Sequence, residues 1–187
     1  MHLRDIQRFL VLLLCLCGVP CAADAPGIWL DVPFVKQERN GCGAASIAMV
    51  MQYWQRNSGK AENAGSDAQQ IQRALYARKA RGIYASDLER YLEQHGFRTF
   101  AFHGEWRDVR QHLEKGRPLI VALRPDSASA NLHFIVVAGI DQGRGLVMVN
   151  DPAERKLREQ EWSDFEHEWR GAGNWTLLAV PRESSAP

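Results

Sequence analysis

Between residues 42 and 54 apolar and small side chains fall on nearly every side of a helix drawn through them: Ala44, Ala45, Ile47, Ala48, Met49, Val50, Met51, Tyr53 and Trp54. The pattern predicts a helix over residues 42–55 that is core on most faces rather than lying on a surface. Ahead of it Ile28, Leu30 and Val32 alternate with Trp29 and Asp31, an extended arm that Pro33 suits to a sheet edge. Residues 57–67 are polar and Gly-bearing, a surface loop. A second helix is expected over 68–81, with Ile71, Leu75 and Tyr76 apolar and Ser66 or Asp67 as N-cap. Ser86 then caps a third helix over 87–95, with Glu89 completing a capping box and Gly96 at its end. Residues 97–102 alternate aromatic with small or polar side chains and read as a strand. Residues 105–114 read as a short helix with Trp106, Val109 and Leu113 on one face.

From residue 118 the pattern turns to β. Residues 118–123 and 133–140 are continuous apolar runs, 141–145 a Gly-rich turn, and 146–150 a returning strand, so the last two runs form a hairpin. Asp151-Pro152 ends the return. Ser163 is expected to cap a final short helix through Trp169, followed by a strand over 174–180. Helices first and an antiparallel sheet afterwards make the class α+β, with the central N-terminal helix packed on the C-terminal sheet. There is no internal repeat, low-complexity tract or second-domain linker.

The first 25 residues differ in kind. Arg4 and Arg8 precede an apolar run from Phe9 to Gly18, which gives way to small residues and Asp24. A basic start, a short apolar middle and a small-residue exit describe a signal peptide, and a membrane anchor would need roughly 20 apolar residues. Cleavage is expected after Ala23, giving residues 1–23 as signal peptide and 24–187 as one domain, periplasmic or secreted, with no transmembrane segment after processing. A lipid anchor at Cys21 is disfavoured, because Gly18-Val19-Pro20 does not follow the Leu-small-small pattern of such anchors.

Cleavage changes the cysteine arithmetic. Cys15, Cys17 and Cys21 leave with the signal, so Cys42 becomes the lone thiol and no internal disulfide is available. An unpaired thiol in an oxidising compartment is a liability unless it is buried or used. Charge says less: 23 basic and 22 acidic residues give a net charge of +1, and their mixing recommends no nucleic-acid partner. At 45% hydrophobic and 24% charged the composition is that of a globular domain.

Cys42 lies between Gly41 and Gly43 at the start of the central helix. A helix N-terminus favours thiolate over thiol, and the thiolate is the nucleophile; the alternative is a small buried hydrophobe. A thiol nucleophile needs a base, and the base needs an orienting group. His133 opens one hairpin strand and Asp151 follows the other; nine steps lead from His133 to Gln142 and nine from Gln142 to Asp151, so a symmetrical turn sets them side by side. Read separately, His133 is a strand-end histidine and Asp151 part of a turn. Gln37, five residues before the thiol, offers an amide that with the Cys42 N–H would stabilise an oxyanion; otherwise it is a turn glutamine.

These blocks together, Val32-Pro33-Phe34-Val35-Lys36-Gln37, Gly41-Cys42-Gly43-Ala44-Ala45-Ser46, His133-Phe134-Ile135-Val136-Val137 and Asn150-Asp151-Pro152-Ala153, resemble the bacteriocin-processing, double-glycine-leader cysteine peptidases, a papain-like group, over about residues 30–180. The resemblance is to their stand-alone exported relatives. It implies Cys42 as nucleophile, His133 as general base and acid, Asp151 as orienting carboxylate and Gln37 in the oxyanion hole. Founding members sit on the cytoplasmic face of peptide-exporting transporters, whereas this chain has no transporter segments and an export signal.

The expected function is therefore peptide-bond hydrolysis by an exported cysteine peptidase acting on a peptide or protein. Two rivals are an acyl-transferase or amidase on the same triad, and a non-hydrolytic peptide-binding module of a secretion or assembly system. No cofactor is expected. His95, His103, His112 and His167 lie on helix ends or polar faces without i, i+4 metal-ligand spacing, and His2 leaves with the signal. The tryptophans Trp29, Trp54, Trp106, Trp162, Trp169 and Trp175 read as core or rim packing. Asp31 and Glu38 near the Cys42 stretch are candidates for shaping substrate charge preference, with a solvated role as the alternative.

Overall fold

The computed structural model describes residues 27–59, 64–125 and 131–182. The expected signal peptide, its expected cleavage site and Cys21 lie outside these residues. Seven antiparallel strands, β1 (Ile28–Trp29), β2 (Phe97–His103), β3 (Leu119–Leu123), β4 (His133–Asp141), β5 (Leu146–Asn150), β6 (Arg158–Glu161) and β7 (Trp175–Pro181), form one sheet in the order β2-β7-β3-β4-β5-β6, with β1 paired to β4. Five helices complete the fold among the described residues: α1 (Cys42–Asn57), α2 (Ala68–Leu75), α3 (Ala85–Gln94), α4 (Trp106–Glu114) and α5 (Trp162–Gly171).

The unbroken apolar runs of β3 and β4 have a physical reason: both faces of the sheet are covered, so alternation with polar residues would bury unpaired groups. On one face Phe134, Val136, Ala138, Ile120 and Leu177 meet Ile47, Ala48 and Met51 of α1, with Ile71 of α2 and Leu88 and Leu92 of α3. On the other, Leu119, Val121, Ile135, Val137 and Val149 meet Val109 and Leu113 of α4 and Phe165 and Trp169 of α5. Helix α1 is buried along most of its length, as its composition predicts. Truncating a side chain such as the fully buried Ile47 to Ala costs about 2–5 kcal/mol in such a core.

Several local expectations are corrected. Helix α2 stops at Leu75 rather than running to Arg81; Tyr76 is extended, and Ala77 and Gly82 exchange backbone hydrogen bonds of 2.8 and 3.5 Å around a tight reversal. Residues 77–81 carry no large apolar side chain, so continued helix there would bury nothing, and short helices are stabilised by packing. Of the two N-cap candidates for α2, Asp67 takes the position, its side chain accepting the Gln70 N–H at 2.8 Å. Helix α3 starts at Ala85 with Tyr84 as N-cap and no side-chain cap bond, which places Ser86 inside the first turn. Ser163 is likewise inside α5, whose N-cap is Glu161. A capping box forms instead at α4, between Glu105 and Asp108. Strand β6, too short and charged to show periodicity, pairs with β5.

The hairpin is real but its register is not symmetrical. Asp141 faces Leu146 and Gly139 faces Met148, then a bulge at Ala138 shifts the pairing so that Val136 faces Asn150. The ladder ends there, and Asp151 lies beyond it rather than directly across from His133.

Candidate active site

Cys42 is the first residue of α1. Gly41 offers no capping side chain, and the first turn carries no acidic residue, so neither a cap nor a carboxylate offsets the partial positive charge of the helix start. The turn before it is closed by the Gly41 N–H donating to the Glu38 carbonyl at 2.9 Å, with Asn40 at φ +59. Ser46, one turn into α1 and fully buried, donates its hydroxyl to the Phe134 carbonyl at 3.1 Å and so ties the helix to β4 beside His133.

His133 Nε2 lies 2.8 Å from Asp151 Oδ1, and the same ring shares the cleft with Cys42 and is acted on by its side chain. With Nε2 engaged by the carboxylate, Nδ1 is the nitrogen left for the sulfur. Burial alone would pull the imidazolium down, but hydrogen bonds to Asp151 and Cys42 and the charges of both outweigh it, and the His133 pKa is pushed up to about 10 from an ordinary 6.5. Asp151 is only 4% exposed. Burial pushes its carboxyl up, yet the hydrogen bond and charge of His133, the Ala153 N–H at 2.9 Å and Arg158 at 3.5 Å hold it below the usual carboxylate range.

The loop carrying Asp151 is anchored from below. Asn150, fully buried, donates to the carbonyls of Val32 and Pro33 at 3.1 and 3.3 Å and accepts the Leu157 N–H at 2.9 Å. The Gln37 N–H donates to the Pro152 carbonyl at 2.9 Å. One arm of the site therefore hangs on the other. The Gln37 side chain lines a cleft of about 440 Å³ together with Cys42 and His133. Its Oε1 is buried with no hydrogen-bond partner among the described residues, a state native interiors seldom keep without a use for the group.

All four residues singled out in the sequence thus converge: Cys42, His133 and Gln37 line one cleft, and Asp151 backs His133. Among the other cleft residues, Arg81, Tyr84, Arg124 and Asn131 were missed. The basic run through Arg81 reads locally as helix, and nothing near Arg124 points to Cys42. Asp31 and Glu38 do not line this cleft; Asp31 pairs with Lys156, and Glu38 accepts a hydrogen bond from Gln69 at 2.7 Å. His95 and His103 bond backbone carbonyls at 2.7 and 2.6 Å, and burial draws the His112 imidazolium down. Among the described residues no group of three or more His, Cys, Asp or Glu side chains is placed to hold a metal ion.

The Peptidase_C39 like family matches residues 29–177. The chain belongs to this family. The peptidase shares its fold with a protein of Bacillus anthracis described as C39-like, at a TM-score of 0.64 and 17% identity over 84% of this chain and 99% of that one. The peptidase domain of Streptococcus ComA, described as a bi-functional ABC transporter of a quorum-sensing pathway, aligns at 0.62 and 18% over 81% and 98% of the two chains. A double glycine motif protease from an AMS/PCAT transporter, in complex with its leader peptide, aligns at 0.60 and 21% over 82% and 94%. No curated protein matches the chain. By family and fold it is a papain-like cysteine peptidase, with the α+β architecture the sequence predicts and the cysteine-bearing helix α1 against the sheet.

Proposed function

We propose that the peptidase hydrolyses peptide bonds with Cys42 as nucleophile, His133 as general acid and base, Asp151 as the carboxylate that orients and charges His133, and Gln37 with the Cys42 N–H as the oxyanion hole. The observation that carries this reading is His133 bonded to the buried Asp151 carboxylate and sharing one cleft with Cys42 at an uncapped helix start. An imidazolium next to the sulfur is the charge partner a thiolate nucleophile uses. The thiolate forms a bond to the scissile carbonyl carbon, and the carbonyl electron pair moves to oxygen, where the two N–H donors stabilise it. As the carbon–nitrogen bond breaks, His133 gives its proton to the departing amine, leaving a thioester on Cys42. Water then attacks the thioester, His133 takes its proton, the carbon–sulfur bond breaks, and the acid is released.

A peptide substrate is supported by the shared fold of a protease bound to its leader peptide. The signal-like first 23 residues support action outside the cytoplasm, which fractionation of cells carrying the full chain would check. The direct test compares wild type with Cys42→Ala in peptide mixtures and under a thiol-directed epoxide. Peptide cleavage and labelling, both lost on substitution, are expected. Labelling without cleavage of any peptide would favour transfer or binding, and no labelling at neutral pH would sink the reading.

A further inference from the structure

Two guanidinium groups in the Cys42 cleft take no part in this chemistry. Arg81 and Arg124 both line it, and no Asp or Glu is among its described lining residues. Arg81 sits at φ +47, in the left-handed region a non-glycine residue adopts only when its surroundings fix it. The reversal closed by Ala77 and Gly82 does the fixing, and Arg81 Nη2 reaches Asn131 Oδ1 at 3.4 Å. Arg124 follows Leu123, the residue of β3 that pairs with His133. Its N–H donates to the Glu168 carbonyl and its Nε to the Gly171 carbonyl, both at 2.9 Å, which holds the guanidinium by its stem and leaves the Nη groups outside these bonds. Neither arginine forms an ion pair with a described residue. Since the whole chain carries a net charge of only +1, the positive lining is a property of this cleft and not of a basic protein.

We propose that Arg81 and Arg124 form an acid-binding subsite, so that the peptidase selects peptides with a Glu or Asp side chain close to the scissile bond. A carboxylate meeting either guanidinium can take charge-assisted, bidentate hydrogen bonds that an amide of the same shape takes less well and an ammonium not at all. The inference rests on the Cys42 cleft being where the peptide lies, but it does not require that bond cleavage be the outcome.

The test is therefore a binding measurement, separate from catalysis. Fluorescein-labelled octapeptide pools, each position fixed in turn as Glu, Gln or Lys, are titrated by anisotropy against the Cys42→Ala protein. At one or two neighbouring positions Glu pools bind about ten-fold more tightly than Gln pools, and the margin shrinks as salt is raised. Arg81→Gln and Arg124→Gln in the same background each reduce that margin, and Arg81→Glu turns the preference toward Lys. Equal binding of Glu and Gln pools, a margin untouched by all three substitutions, or no binding by any pool overturns the subsite. Epoxide labelling of Cys42 in the wild-type protein, run alongside, reports on the nucleophile and fails or succeeds independently.

Discussion

His133 is the residue on which protonation of the site turns. As the proposed general acid it must hold its proton, and its pKa of about 10 keeps it protonated across neutral pH. The alkaline limb of kcat/KM is accordingly expected near pH 10. Asp151→Asn removes the carboxylate that raises it, so that limb moves down toward 6.5 and kcat/KM falls by about 10²–10⁴; pH–rate profiles of the two proteins check both. The same shifts bear on stability, and with opposite signs. The contribution of His133 is complete below its ordinary 6.5 and is lost as pH rises through about 10. That of Asp151, whose pKa is lowered, is present above its ordinary 3.8 and lost as pH falls through the lowered value. Thermal melts of wild type should flatten toward those of Asp151→Asn at both extremes. At this scale the sequence is informative about Cys42, His133, Asp151 and Gln37, because nucleophile, base and amide chemistry restrict which residue types qualify. It is silent about Arg81 and Arg124, which share the cleft only because a turn and a strand end, 43 positions apart in number, both border it.

At the scale of elements, the hairpin of β4 and β5 shows what counting can and cannot do. Equal arm lengths bring His133 and Asp151 to the same end, and they do meet, but through a bulge and a loop past the ladder rather than as a cross-strand pair. A bulge leaves no trace in hydrophobic periodicity when both strands are buried on both faces. The next residue, Gly139, is where β1 pairs with β4. A Cβ there would lie 2.5 Å from the Ile28 carbonyl oxygen and 2.9 Å from both Trp29 Cβ and Met148 Cε. Gly139→Ala should therefore push β1 off the sheet and destabilise the fold by roughly 1–3 kcal/mol, read from urea unfolding midpoints at constant slope. Helix α1 is legible because its apolar residues continue for four turns; the end of α2 is not, because Ala77 to Arg81 are good helix formers that tertiary structure bends into a turn.

At the scale of the molecule, Cys42 belongs to the helical layer and His133 to the sheet, so their spacing depends on how the two layers dock. Ser46, bonded to the Phe134 carbonyl, is a fixed point of that docking one residue from His133. Ser46→Val removes the bond and leaves a buried carbonyl short of a donor, at a cost of about 1–3 kcal/mol. Its kcat should fall further than its affinity for peptide, and single-turnover kinetics against peptide binding separates the two. Asn150 plays the corresponding part beneath the acid, joining the Val32–Pro33 arm to the Leu157 loop. The layered order, the buried strands and the single sheet follow from patterning; the docking contacts do not, since they join residues as far apart as 118 positions. The bond from the Gln37 N–H to the Pro152 carbonyl has a further use. It is a single amide proton shared between the two arms of the site, so its rate of exchange with deuterated water records how often the arms part. Occupying the cleft with a covalent adduct on Cys42 should slow that exchange, making Gln37 a built-in gauge of closure that reports before any bond is cut.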